Sequence, residues 1–240
     1  MSAQRDTALD LLKWLAFLCM VLDHLRYVGW SLEYLYIPGR LAFPWFCLAI
    51  AANLARRPKA LLPARYLVSL LIFSLLSEVP YRMFVYPAAT LNVMPTLALG
   101  LLLAYAWQRG QRLLAGLILL GAVLASHWLM FGWPGVLLPA VLLSAQSQPR
   151  MRAVFGAAFA GILCLAGNAW EALFDAARYL NFITMGGALA CLVGPGLGLS
   201  LLRHRLRWQA PPIRRWGYAF YPLHFLLLLG LRVLISASKH

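Results

Sequence analysis

Two histidines and a handful of carboxylates and guanidiniums lie inside otherwise apolar stretches of this 240-residue chain. A charge at the centre of a bilayer costs at least about 2.5–3.5 kcal/mol, so such residues persist when they are paired, solvated or used. The segment LDLLKWLAFLCMVLDHLRY is the richest in them. At 100° per residue, Asp10, Lys13, Phe17, Met20 and His24 share one face. The 14 residues from Asp10 to His24 cover about 21 Å of axis. A neutral imidazole at the far end of that stripe is suited to proton transfer near neutral pH. Asp23 points about 100° away from His24 and does not face it directly. The plainer reading makes Asp10 and Lys13 interfacial and Asp23–His24 an outer helix end.

Further polar residues recur downstream, each with a structural alternative. Arg40 opens the run GRLAFPWF, where it can face an anion, pair with Asp23 or snorkel toward the headgroups. Pro44 in that run is expected to kink the helix and free a carbonyl. Ser74, Glu78 and Arg82 follow i, i+4, i+8 spacing on one face, and Pro80 predicts a bend or break there. A Glu78–Arg82 pair would relieve two buried charges as readily as it would serve catalysis. Asn92, Thr96 and Gly100 share a face of a kind that glues helices together, the alternative being contact with substrate. Tyr218, Tyr221, Pro222 and His224 cluster in the last apolar run, with His224 about ten residues, or about 15 Å, past Arg214. His224 reads either as hydrogen-bonded packing or as a second pocket histidine. His127 looks interfacial, and His204 and His240 lie in a basic loop and at the terminus.

The elements that must position these side chains are membrane helices. Hydrophobic residues make up 62% of the chain and charged residues 12%, against about half and a quarter in soluble domains. Nine apolar segments predict spanning helices at about 8–28, 40–55, 66–86, 91–107, 113–129, 133–146, 152–170, 179–202 and 215–235. The fold class is therefore all-α, a polytopic bundle forming one domain over 1–240. With the N-terminus in the cytoplasm, the inner loops take Arg5, Arg56, Arg57, Lys59, Arg65, Arg109, Arg112, Arg150, Arg152, Arg203, Arg205, Arg207, Arg214 and Arg215. The outer side takes Arg26, Arg40, Arg82, Arg178, Arg232 and Lys239. Fourteen against six obeys the positive-inside rule, with Lys13 inside the first helix. The outer loop with Glu171, Asp175 and Arg178 reads as solvated, and Trp170, Trp128 and Trp133 as an aromatic belt.

Several functions are disfavoured. The net charge of +14 comes without a nucleic-acid motif and points to anionic lipid headgroups rather than to RNA or DNA. Cys19, Cys47, Cys164 and Cys191 sit in apolar runs without CxxC spacing, so neither a metal site nor disulfides are expected. The first apolar run carries Asp10, Lys13 and Asp23 and no small-residue cleavage site, unlike a signal peptide. No P-loop or GxGxxG occurs.

Taken in order, LDLLKWLAFLCMVLDHL, GRLAFPWFCLAIA, LLIFSLLSEVPYRMF, LNVMPTLALG, FGWPGVLL and YAFYPLHFLLLL resemble the TraX family over nearly the whole chain. The resemblance rests on DH, GR-xx-FP, SE-xP, LN-xxx-T and YP-x-H together. It implies a multi-pass protein of the bacterial inner membrane that acetylates the amino terminus of conjugative pilin. It also implies kinship with transmembrane acyltransferases, including the acyltransferase-3 group, which take acetyl from cytoplasmic acetyl-CoA. An outer-half histidine of the first helix is characteristic of those enzymes, and His24 matches it. On that reading His24 is the general base or transient acetyl carrier, with Asp23, Arg40 or Glu78 orienting it or the acceptor. Asn92 and Arg40 are oxyanion donors, and Arg82, Tyr221 and His224 line the acceptor site. Lys13, Asp10, Arg56, Arg57 and Arg65 meet the polyanionic end of acetyl-CoA, unless the loop cations serve only topology and lipid contact. The short loops differ from the heparan-modifying relatives, so the acceptor stands open among a pilin amine, a glycan and a lipid. A transporter and a non-catalytic pilus assembly factor are the rival classes, although no inverted repeat favours transport.

Overall fold

Backbone amides in lipid have no water to bond to, so a spanning chain satisfies them within helices. A computed structural model describes residues 6–56, 62–168, 181–204, 210–213 and 216–238, and among these residues there are helices and no strands. The helices are α1 (Thr7–Leu25), α2 (Tyr36–Gly39), α3 (Ala42–Ala55), α4 (Ala64–Phe84), α5 (Val93–Gln108), α6 (Arg112–Leu124), α7 (Gly132–Gln146), α8 (Arg150–Asn168), α9 (Phe182–Arg203) and α10 (Trp216–Ala237). All nine apolar segments coincide with a helix. The short α2 and the 3-10 turns at Arg26–Val28 and Glu33–Leu35 had no periodic signal. Arg5, Arg57, Lys59, Trp170, Glu171, Asp175, Arg178, Arg205, Arg207, Arg214, Arg215, Lys239 and His240 lie outside the described residues.

Five stretches are long and apolar enough to cross a membrane: Glu33–Ala55, Ala64–Phe84, Arg150–Asn168, Phe182–Arg203 and Trp216–Ala237. The protein is thus a multi-pass membrane protein. α5, α6 and α7 are apolar but shorter, at 16, 13 and 15 residues, and α1 carries Asp10, Lys13 and Asp23 along its length. Side-chain oxygens start three helices. Asp6 accepts from the Leu9 N–H at 3.0 Å, Asn92 from Met94 at 3.0 Å and Asn181 from Ile183 at 2.9 Å, satisfying donors that have no partner within the helix.

The two prolines differ in their effect. The chain breaks at Arg40–Leu41, between α2 and α3, so Pro44 falls in the first turn of α3, where a missing N–H costs little. α4 runs unbroken through Pro80.

α3 is hydrophobic on all sides and is correspondingly the buried centre of the bundle. It packs against α1, α5, α7 and α9, and Cys47, Leu48, Ala51 and Ala52 are fully enclosed. Small residues set how closely its neighbours approach. A Cβ on Gly198 of α9 would stand 2.7–3.0 Å from Leu48 and Trp45, and one on Gly194 would stand 2.8 Å from Leu41. The Trp45 indole N–H donates to the Gly194 carbonyl at 2.9 Å. The Gly194–Gly198 pair therefore serves a contact within the chain. Gly100 does the same for α5 on α7, where a Cβ would meet Pro139 at 2.8 Å, and Thr96 touches Gly135 on that face. α4 and α6 lie at the periphery, with Leu75 and Leu113 each 79% exposed, as side chains facing lipid should be.

Candidate functional site

The intramembrane polar residues resolve into three clusters and one cavity. The first cluster joins the two ends of the sequence. His24 sits in the last turn of α1 and His224 in the middle of α10, and their Nδ1 and Nε2 atoms are 2.8 Å apart. The pair packs among Phe84 and Phe225, with the His24 and Phe225 ring centroids 4.9 Å apart. His224 is 3% exposed. Its other nitrogen, Nδ1, is 3.3 Å from the Phe220 carbonyl oxygen one turn back. A carbonyl only accepts, so the proton of a neutral His224 belongs on Nδ1, which leaves Nε2 as an acceptor. His24 must then donate from Nδ1, and its Nε2 keeps the lone pair. The assignment is deduced from the hydrogen-bond pattern, and it leaves His24 a base with one defined basic atom.

The second cluster surrounds Arg40. Its Nη2 donates to Asp23 at 2.9 Å, and its Nη1 donates to the side-chain and main-chain oxygens of Asn168 at 2.6 and 3.2 Å. Its guanidinium lies over the Tyr36 ring, 4.3 Å from the centroid. Arg26 adds ion pairs to Asp23 at 3.2 Å and to Glu33 at 3.6 Å. Gly39 makes room, because a Cβ there would run into the Asp23 carboxylate. Of the alternatives for Arg40, pairing with Asp23 is the one adopted. Asp23 in turn faces two guanidiniums, and the hydrogen-bond partner of His24 is His224.

The third cluster ties α4 to the start of α5. Glu78 accepts from Arg82 Nε at 2.7 Å on one oxygen. On the other it accepts from the Asn92 backbone at 3.1 Å and from the Asn92 side-chain amide at 2.7 Å. The same amide nitrogen also donates to the Ser74 carbonyl at 2.8 Å. Asn92 is fully buried, and both its amide protons and its oxygen have partners. An oxyanion would have to displace Glu78 or the Ser74 carbonyl to be bound by it. Arg82 is half exposed beside Glu78, and the i, i+4 pair reads as charge neutralisation.

The cavity, of about 780 Å³, lies between α1, α3, α4, α5 and α10. Lys13, Asn53 and Arg65 supply its polar margin, while Phe17, Phe46, Leu70 and Leu97 make its wall apolar. Tyr221 lines it as well. The Tyr221 oxygen accepts from the Val93 N–H at 3.3 Å, and its ring lies 5.4 Å from His224. Tyr221 is thus common to the cavity and to the histidine pair, neither member of which lines the cavity. Asp10 is buried near Lys13, with oxygen and nitrogen 3.8 Å apart, and Arg56 pairs with Asp6 at the start of α1. The structure therefore gathers Lys13, Arg65 and Tyr221 around one space. It sets Asp23 and Arg40, and Glu78, Arg82 and Asn92, in two separate networks.

Several participants were silent in the sequence. Arg26 had a signal, its i+3 spacing from Asp23. Asn168 and Asn53 had none, because only packing brings their helix ends to these places. Among the described residues the four cysteines are free and buried, and no group of three or more His, Cys, Asp or Glu is placed to hold a metal.

No curated protein and no solved structure matches this chain. The sequence profile of the family described as TraX protein matches residues 8–232, from the first turn of α1 nearly to the end of α10. A match of that extent takes in the histidine pair, both ion networks and the cavity, and the chain belongs to the TraX family.

Proposed function

We propose that this chain is an inner-membrane acetyltransferase that moves acetyl from cytoplasmic acetyl-CoA to an amine such as a pilin amino terminus, or to a hydroxyl. Nine spans with the N-terminus inside place Lys13 and Arg65 at the cytoplasmic end and His24 toward the outer one. The observation that carries the reading is the chain of contacts from His24 Nδ1 to His224 Nε2 and from His224 Nδ1 to the Phe220 carbonyl. It presents one basic nitrogen on His24, the state a general base needs. His224 acts as a positioning residue, as the partner that holds the tautomer of a base does in hydrolytic triads.

The cavity fits the thioester arm of the donor: it is apolar within, cationic at its margin and of the size of small-ligand sites. The donor supplies an activated acetyl group. Lys13 and Arg65 attract its phosphates. Tyr221 stands between this space and the histidines and moves aside for the acetyl group to reach His24. His24 Nε2 then takes the acceptor's proton as the new bond to the acetyl carbon forms and the carbon–sulfur bond breaks, and the proton leaves with the thiol.

The test is release of coenzyme A from acetyl-CoA in the presence of a primary-amine acceptor, by the purified protein in detergent. His24→Ala is expected to lower turnover about 10²–10⁴-fold, the usual worth of a positioned base. His224→Phe is expected to lower kcat with KM for acetyl-CoA little changed, and His224→Gln, whose side-chain oxygen can accept from His24, to recover part of it. Normal turnover by a folded His24→Ala protein would end the base assignment. No thermal stabilisation by coenzyme A or acetyl-CoA would favour an assembly factor, and substrate flux into proteoliposomes a transporter.

A further inference from the structure

Arg112 and Arg152 belong to none of the clusters above. They stand in the first turns of α6 and α8, both exposed, and among the described residues neither side chain has an ion pair or hydrogen bond. Both line a second cavity of about 540 Å³, together with Trp107 and Gln148 from the ends of α5 and the α7–α8 turn. α6 and α8 each pack on α7, and the space between them is a groove with α7 as its floor. Beyond the arginines the groove is walled mostly by aliphatic and small residues with Phe159 and Ser144, and no carboxylate lines it.

We propose that this groove binds an anionic phospholipid of the surrounding bilayer, its phosphodiester between Arg112 and Arg152 and one acyl chain lying along α7. Three observations select that occupant. The two arginines line one cavity in which no carboxylate is found, in a chain with 21 basic and seven acidic residues, so the head of the ligand is an anion. The interior is apolar, so its body is hydrocarbon. The outward surface beside the groove carries Leu113 at 79% and Phe155 at 72% exposure. Such a surface faces lipid, so the ligand arrives from the bilayer and not from solution. Unpartnered basic residues between helix ends are the usual recognition element for anionic headgroups. Gly116 shows that the groove has room, because a Cβ built there meets no atom within 4 Å.

The experiment is native mass spectrometry of the detergent-purified full chain with added phosphatidylglycerol or phosphatidylcholine. Phosphatidylglycerol is expected to be retained in preference to phosphatidylcholine. The double variant Arg112→Gln/Arg152→Gln is expected to weaken phosphatidylglycerol binding about 30-fold, from about fivefold per basic residue. Both side chains are exposed, so the fold should survive the change. Gly116→Trp fills the groove without altering charge and is expected to reduce retention of both lipids. Wild-type retention of phosphatidylglycerol by the double arginine variant would overturn the proposal. So would retention unaffected by Gly116→Trp, or displacement of the lipid by coenzyme A, which would make the groove a site for a soluble phosphate ligand.

Discussion

Asn92 offers a direct way to separate cap chemistry from network chemistry. Its oxygen caps α5 by accepting from Met94, while its amide nitrogen donates to Glu78 at 2.7 Å and to the Ser74 carbonyl at 2.8 Å. Asn92→Ala removes the cap, worth about 1 kcal/mol. It also removes the hydrogen bond to the Glu78 carboxylate, worth about 1.5–3 kcal/mol, and leaves the Ser74 carbonyl short of a partner. Together these give an expected destabilisation of about 3–5 kcal/mol. Asn92→Asp is the informative variant. On cap preference alone Asp equals Asn, so a helix-end account expects no change. In the network, the substitution sets a carboxylate oxygen where the amide stood, 2.7 Å from Glu78. With an effective dielectric of about 20, two unit charges at that distance repel by about 6 kcal/mol before relaxation or protonation reduces it. Asn92→Asp should therefore be at least as damaging as Asn92→Ala, and adding Glu78→Gln should restore most of the loss. The assay is thermal unfolding in detergent micelles, followed by tryptophan fluorescence, for the four variants in a double-mutant cycle. An Asn92→Asp protein as stable as wild type would refute the network account. A stable Asn92→Ala protein that fails only in acetyl transfer would return Asn92 to the oxyanion role.

Two more outcomes follow from the packing. Gly198→Val places methyl groups against Trp45 and Leu48 and should destabilise by about 1–3 kcal/mol by overpacking; size-exclusion chromatography should show no change of oligomeric state, because the contact is within the chain. The Thr96 hydroxyl is buried without a hydrogen-bond partner, so the nearly isosteric Thr96→Val should leave stability unchanged or raise it by about 1 kcal/mol in the same unfolding assay; a clear loss would mean that the hydroxyl has a partner after all.

The two candidate networks and the histidine pair owe their architecture to different kinds of information. Glu78–Arg82 and Asp23–Arg26 are local: i+4 and i+3 spacings on one helix make them legible from residue order alone. Asp23–Arg40 joins residues 17 positions apart, across two 3-10 turns and α2, and it stood as one alternative among three. Its adoption depends on Gly39, whose missing side chain lets Arg40 reach the carboxylate. The join between Glu78 and Asn92 needs α5 to start beside the middle of α4. No periodicity encodes that offset.

Residue order by itself determined the membrane class, the placing of the apolar helical segments and the stripe on α1 that leads to His24, because hydrophobic length and the 100° rotation per residue are properties of the chain alone. It also marked His224 as a residue of interest, but not its partner. Only tertiary packing brought two imidazoles separated by 200 positions to 2.8 Å, placed Tyr221 between them and the cavity, and enclosed α3 at the centre. Contacts between distant helices depend on which small residues permit close approach, and each Gly–aromatic fit has meaning only once both helices are in place.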